Sequence, residues 1–451
     1  MESLRRKLLF LAGIVTLSGL TLSQLPKYPK KRFPHPISKT PAKVLKLQGA
    51  CYGSYLSPTG KNAVVLTTRG LYLIDVASQQ VLANTDAEFA SSVAFSPDGK
   101  WLARRGPFGP KEAQGCNMAV YEATTLKPIQ VPLEPHLDYL TVSWSSDAAY
   151  LAAGIMEVFS ATAPKDTIIW DARNWQAPGK RIRPLEGLPP GAFRSSLPGI
   201  FLGQNLYVVI VENTRPGILS YYVHEYEPPN WRLARKIGPV TEKCSDHPIF
   251  AYSEPHAPDT MFWACQLQST ITGNPPEDPH IWSFSSKTKR IEDWGAKRYY
   301  LDRLHRIEAH LGYKFLSKSL ITIFLPINDK TLVTMGGATI QLSQQTDKGL
   351  KVEELYYDGY PIYCAEAVAP EKHRLVVRMS DEELKAKPFC KWLIGVLDLK
   401  TKQRIGPAYH YDSPLLSGCV EITPDGKHVL VAYEDGTLHF WRVSDSEADE
   451  N

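Results

Sequence analysis

From residue 43 onward the chain is built of short apolar runs separated by tight-turn residues, a pattern that predicts strands rather than helices. Ser57-Pro58-Thr59-Gly60 precedes the strand-like Ala63 to Thr67 and then Leu71-Tyr72-Leu73-Ile74-Asp75. Ser96-Pro97-Asp98-Gly99 stands in the same relation to Trp101-Leu102-Ala103 and to Met118-Ala119-Val120-Tyr121. Each unit reads strand, tight turn, strand, strand, with proline and glycine supplying the dihedrals of the turn. Further turns fall at Ser145-Ser146-Asp147, Gly203-Gln204-Asn205, Ala257-Pro258-Asp259, Ile327-Asn328-Asp329, Ala369-Pro370-Glu371 and Thr423-Pro424-Asp425-Gly426, making eight.

A third strand follows each turn: Ile168 to Asp171, Ser220 to Val223, His280 to Ser283, Ile340 to Leu342, Ile394 to Asp398 and Leu438 to Trp441 in the later units. Short polar stretches and apolar pairs such as Gln80-Val81-Leu82 and Gln403-Arg404-Ile405 suit an outer fourth strand. Units of about 40 to 70 residues fit four-stranded sheets with variable loops and exceed the helical repeats. The last unit stops at Trp441-Arg442-Val443 without a fourth strand, while Val44-Leu45-Lys46-Leu47 precedes the first turn unmatched. Pairing those two ends would close a ring and leave no sheet edge exposed there.

These units resemble WD-repeat and related propeller repeats, best in Ser92 to Ala103 and in Val420 to Trp441. The resemblance spans residues 43–443 and implies an all-β chain, a single β-propeller of about eight four-stranded blades; merging two of the weaker middle units would give seven. The family's Gly-His before the first strand is absent, and Trp-Asp occurs only at Trp170-Asp171. The hydrogen-bond network that those residues build in WD repeats is therefore not expected throughout. A helical insertion interrupts the strands over Arg298 to Leu311, where Tyr300, Leu301, Leu304, Ile307 and Leu311 recur at helical spacing before Gly312.

The N-terminus is of another kind. Arg5-Arg6-Lys7 leads into an apolar run from Leu8 to Leu22, so residues 1–25 read as a signal peptide or a signal anchor, with residues 4–25 the segment that would tether the chain to a membrane. Residues 26–42 carry Pro26, Pro29, Pro34, Pro36 and Pro41 among basic residues and read as a semi-extended stalk. An acidic tail occupies residues 444–451. Charge adds little. The net value of +4 is small for 451 residues and no basic stripe stands out, which argues against nucleic acid as a partner.

Chemistry is sparse. The chain has no Gly-x-Ser-x-Gly elbow, phosphate loop, dinucleotide fingerprint or haem-attachment motif, so the sequence nominates no catalytic, cofactor-binding or metal-binding residue and no cofactor. His305 and His310 are five residues apart, about 140° around a helix, which rejects a metal pair on one face. Cys51, Cys116, Cys244, Cys265, Cys364, Cys390 and Cys419 lack zinc spacing. Cys51, Cys364 and Cys419 fall on the innermost strands of the first, seventh and eighth units, where Cys51 and Cys419 are either a disulfide or small buried apolar residues. Aromatic residues such as Tyr221, Tyr222, Tyr226, Trp231 and the Tyr356 to Tyr363 group belong first to packing between strands.

The resulting expectation is a non-catalytic interaction or scaffold propeller, a monomer acting outside the cytoplasm in a periplasmic or extracellular space, with a protein partner of unknown identity. The alternative is a propeller enzyme or a cofactor-binding oxidoreductase or hydrolase whose signature residues are missing.

Overall fold

The computed structural model describes residues 37–38, 41–86, 92–106, 118–134, 137–157, 166–186, 193–215, 218–243, 251–253, 257–264, 280–296, 324–336, 339–357, 360–380, 392–410 and 419–443. The N-terminal run 1–25, the helical insertion at 298–311 with His305 and His310, and the acidic tail lie outside the described residues. No helix among the described residues is long and apolar enough to cross a membrane.

Two strands, β1 (Ile37–Ser38) and β2 (Lys43–Lys46), precede the blades. Blade 1 is β3 (Cys51–Leu56), β4 (Asn62–Thr67), β5 (Gly70–Asp75) and β6 (Gln80–Thr85). Blade 2 is β7 (Ser92–Phe95), β8 (Trp101–Arg105), β9 (Met118–Glu122) and β10 (Pro128–Ile129); blade 3 is β11 (Leu137–Trp144), β12 (Tyr150–Glu157), β13 (Asp166–Asp171) and β14 (Lys180–Ile182). Blade 4 splits its inner strand into β15 (Phe193–Ser196) and β16 (Ile200–Leu202), then adds β17 (Asn205–Arg215), β18 (Ile218–Glu227) and β19 (Arg232–Lys243). Blade 5 is β20 (Ala251–Tyr252), β21 (Thr260–Ala264), β22 (His280–Ser285) and β23 (Arg290–Ala296); blade 6 is β24 (Phe324–Asn328), β25 (Thr331–Gly336), β26 (Thr339–Thr346) and β27 (Gly349–Tyr357). Blade 7 is β28 (Tyr360–Ala369), β29 (Arg374–Ser380), β30 (Trp392–Asp398) and β31 (Arg404–His410), and blade 8 supplies β32 (Val420–Ile422), β33 (His428–Ala432) and β34 (Thr437–Arg442). The count is eight, and each of the eight turns read from the sequence joins the first two strands of a blade.

Blade 8 is completed from the other end of the chain. β2 lies antiparallel on β34 with Val44 opposite His439 and Leu45 opposite Leu438, the closure anticipated from the unmatched strand. The stalk contributes as well: β1 lies parallel to β31 as a fifth strand on blade 7, with Ile37 opposite Ala408 and Ser38 opposite Tyr409. A proline-free run between Pro36 and Pro41 makes that pairing possible, because proline has no N–H to give a ladder.

The recurring turns share one hydrogen-bond scheme. Ser96 Oγ donates to Asp98 Oδ1 at 2.6 Å and accepts from the Trp101 amide at 2.9 Å, while the Lys100 amide donates to Asp98 Oδ1. Ser145, Asp147 and Tyr150 repeat it, as do Thr423, Asp425 and His428. Local side chains thus satisfy backbone groups that no ladder reaches. At Gly60, with φ +68°, a Cβ would fall 2.4 Å from Pro424 of the adjoining blade, so both conformation and space demand glycine.

Apolar cores lie between blades rather than within them. Val64, Leu66, Leu71 and Leu73 of blade 1 meet Val93, Leu102 and Tyr121 of blade 2. Val120 and Met118 meet Leu151, Ile168 and Trp170 across the next seam, and Ala152 and Ile169 meet Phe201, Val208 and Ile210 across the third. Each sheet face is covered only by its neighbour, so no blade has a core of its own.

Four seams are also tied by the turn between third and fourth strands. Leu126, Trp231, Lys289 and Lys402 all adopt left-handed backbone, with φ of 55°, 52°, 55° and 59°. Each amide closes its turn onto the carbonyl four residues back, at 2.9, 2.8, 2.9 and 2.7 Å. The side chain then reaches back to the preceding blade. Leu126 enters the apolar seam with blade 1, and Trp231 packs edge-on against Tyr150 of blade 3 at 4.9 Å between ring centroids. Lys289 donates to Glu225 Oε1 of blade 4 at 2.6 Å, and Lys402 to Glu353 Oε1 of blade 6 at 2.7 Å. Left-handed backbone costs roughly 1–2 kcal/mol for a residue with a Cβ. Burying a tryptophan or leucine side chain recovers at least that much, about 1.5–3 kcal/mol for an aliphatic residue.

Candidate interaction face

Because successive strands alternate in direction, connections fall on two opposite ends of the ring. First-to-second and third-to-fourth connections emerge at one end, the turn face. Second-to-third and fourth-to-first connections emerge at the other, the loop face. The longest on the turn face spans 172–179. The described strand ends that border the longer intervals, 106–117, 158–165, 265–279 and 381–391 within blades and 183–192, 297–323 and 411–419 between them, lie at the loop-face end. The longest intervals between strand ends thus fall at this end, and none at the turn face exceeds 172–179.

Where blades 8 and 1 meet, the loop face is short and fully described. Gly436 donates to Tyr433 O at 3.0 Å, and Leu47 to Gly436 O at 2.8 Å. Asp435 Oδ1 accepts from the amide and hydroxyl of Thr437, and Lys46 Nζ donates to the Asp435 carbonyl. Beneath lie Cys51, Cys419 and His439, all essentially buried. A thiol, an imidazole and a carboxylate in one region invite comparison with a nucleophilic site, and the electrostatics answer it. Burial, reinforced by Asp435, pushes the Cys51 thiol up to about 12, far from the thiolate that nucleophilic or metal chemistry needs. Burial likewise drives His439 down to about 4, so it is neutral at ordinary pH, packed between Tyr433 at 4.8 Å and Trp441 at 6.0 Å.

Cys51 and Cys419 are both buried and are not joined in a disulfide. Of the two readings open from the sequence, the structure has the small buried apolar residue. Cys364 takes its expected place on β28, the innermost strand of blade 7. Cys116, Cys244, Cys265 and Cys390 lie outside the described residues. Among the described residues no group of three His, Cys, Asp or Glu is arranged to hold a metal ion.

Buried polar groups at the other seams are engaged in joining blades. Glu225, nearly inaccessible, accepts from Asn205 Nδ2 at 2.9 Å, Tyr207 Oη at 2.7 Å and Lys289 Nζ at 2.6 Å. Burial works to raise its pKa, but these hydrogen bonds together outweigh burial and hold it below the usual carboxylate value. Glu242 accepts from Tyr221 Oη at 2.8 Å and Trp282 Nε1 at 3.0 Å, linking blades 4 and 5 a second time. Tyr221, Tyr226 and Trp231 are buried in these seams, as packing predicts. Tyr356 and Tyr357 pair with Pro361 and Tyr360 across a two-residue connection, so that group forms a hairpin between blades 6 and 7. Tyr357 fills the space over Gly395, where a Cβ would fall 2.4 Å from its ring.

Residues 409–442 match the WD domain, G-beta repeat family. The solved structure of the C-terminal WD40 domain of Sif2 superposes with a TM-score of 0.54 at 11% identity, covering 90% of this chain and 99% of that chain. A structure of the eukaryotic initiation factor matches at TM-score 0.46 and 14% identity, over 87% of this chain and 84% of that one. Hydrazine synthase of Kuenenia stuttgartiensis matches at 0.42 and 12%, over 92% and 100%. No curated protein matches the chain by sequence. At these identities the likeness concerns the fold. The molecule is a closed eight-bladed β-propeller. More narrowly, the segment that ends its last blade is similar to the WD repeat. The departures noted in the sequence have a structural trace there: the Trp441 indole N–H is buried without a hydrogen-bond partner among the described residues.

Proposed function

We propose that this protein is a non-catalytic scaffold that works outside the cytoplasm and presents its loop face to a protein partner. WD-repeat-like propellers are an interaction fold, and a protein partner is consistent with it. The observation that carries the choice of face is that the longest intervals between described strands, up to 297–323, open from strand ends at one end of the ring, whereas none at the opposite end exceeds 172–179. Loops on a rigid scaffold can change sequence and length without cost to the fold, which is where recognition is usually placed. The extracytoplasmic setting rests on the basic cluster Arg5 to Lys7, the apolar run Leu8 to Leu22 and the proline-rich stalk.

Two measurements test the reading. Mass spectrometry of the mature N-terminus should find either a start near Gln24 in an exported fraction or an intact N-terminus held in membranes. An intact N-terminus in a soluble cytoplasmic fraction would refute the location. Crosslinking in native cells should place partner crosslinks on the loop face. A map confined to the turn face would refute the choice of surface.

A further inference from the structure

Every outer strand of a propeller has an open edge, and those of this chain differ in what they offer another strand: β6 and β23 are six and seven residues long and proline-free, with no further strand on them among the described residues. β10 and β14 are two and three residues long. β19 carries Pro239, which has no N–H, beside a register shift. β31 differs, because β1 already lies on it. Pro407 lacks an N–H and Gly406 takes φ +64°, so the first half of β31 offers no regular ladder. From Ala408 onward the strand is regular again, with Tyr409 opposite Ile394 and His410 opposite Leu393 on β30. Ala408 and Tyr409 are buried, and Tyr409 is fixed by donating to Arg442 O at 2.6 Å and stacking on Trp441 at 4.7 Å. The receiving edge is therefore rigid, whereas its occupant is a two-residue strand entering from a proline-rich segment.

We propose that the outer edge of blade 7 at Ala408–His410 is a strand-docking slot, filled in cis by Ile37–Ser38 and open to an extended, proline-flanked peptide of the same kind in trans. Recognition is by backbone hydrogen bonds in parallel register, the strand-addition mode of peptide binding. The cis strand competes through proximity. Few residues separate β1 from β2, which is itself held on β34, and a tether that short gives an effective concentration in the millimolar range. A free peptide at micromolar concentration would not displace it, and would bind once the cis strand is disabled. This slot is independent of the loop-face proposal and survives if that proposal fails.

The experiment uses the full chain and a labelled synthetic peptide of residues 33–42. Ile37→Pro combined with Ser38→Pro in the chain removes both cis N–H groups. The peptide should bind this variant saturably and at least about tenfold more tightly than the unaltered chain, following the fraction of empty slot. A peptide with proline at the positions of 37 and 38 should not bind. Hydrogen exchange at residues 408–410 should quicken in the variant and slow again on adding peptide, with β29 and β33 unchanged as a check on folding. Should the double variant not fold, Ile37→Gly weakens the cis strand more gently and should give an intermediate affinity. Equal binding to variant and unaltered chain, no binding to either variant, or exchange at 408–410 insensitive to both changes would each overturn the proposal.

Discussion

The seams closed by Leu126 and Trp231 and those closed by Lys289 and Lys402 use one backbone device with opposite chemistry. All four residues sit in the left-handed region at the end of the turn before the fourth strand and reach back one blade. In the first pair the side chain adds to an apolar core; in the second it completes a polar contact, buried at Glu225 and open to water at Glu353. The lesson is that the turn geometry sets where the side chain goes, and the neighbouring blade sets which chemistry can follow it there. The strength of the tie then depends on how far water is excluded.

The comparison can be broken at several points, beginning with the largest effect. Trp231→Ala should lower stability by about 3–5 kcal/mol, seen in chemical unfolding, since a buried indole is lost and a cavity remains between blades 3 and 4. A loss below about 1 kcal/mol would mean that the apolar latch is dispensable.

Acid should next separate the two kinds of seam. His224 lies opposite Val208, on the strand face shared with Tyr226, and is buried with Nδ1 unpartnered among the described residues. Burial, with Lys236 adding, lowers its pKa to about 4. The folded value is thus below the unfolded one of about 6.5, so the unfolded chain takes up the proton first and stability falls as pH drops from about 6.5 towards 4, by up to about 3 kcal/mol. His224→Phe should flatten that slope in unfolding measured across this range. Glu225 acts in the same sense but in a lower window: its folded pKa is depressed, so its contribution is present above the unfolded carboxylate value and disappears only as pH falls below that through the folded one.

Glu225→Gln, which keeps the shape but removes the charge facing Lys289, should cost about 2 kcal/mol, with Tyr207 and Asn205 still able to donate to the amide oxygen. A double-mutant cycle with Lys289→Met isolates the pair; additive losses would deny the coupling. Smallest of all, Lys402→Gly exchanges an exposed ion pair for relief of left-handed strain, so the melting temperature should hold within about a degree or two or rise slightly. A marked fall would show that the exposed latch is stronger than solvent screening allows.

Much of this ring was legible because its signals are local. Ser-Pro-Asp-Gly at 96–99 states its turn outright, and the missing fourth strand after Trp441 together with the spare Val44 to Leu47 identified the closure. The latches were not legible. Nothing in Leu126, Trp231 or Lys289 announces positive φ, since only glycine, asparagine or aspartate ordinarily signals it, and the preference arises from the neighbouring blade. Ile37–Ser38 was hidden for the same reason: two residues between prolines become a strand only because β31 offers an edge far along the chain. The candidate face was legible only in part. The sequence offered no site residue, while strand order was needed to show that the strand ends bordering the longest intervals share one end of the ring.

The clasp of β2 on β34 has a kinetic consequence. Lys46 and Asp435, in contact at this seam, are separated by 389 positions. β2 must therefore wait until all eight blades up to β34 have been made before it gains a partner and the ring can join. Such distant pairing makes assembly slow, with blade 1 exposing an uncovered face to aggregation for most of that time.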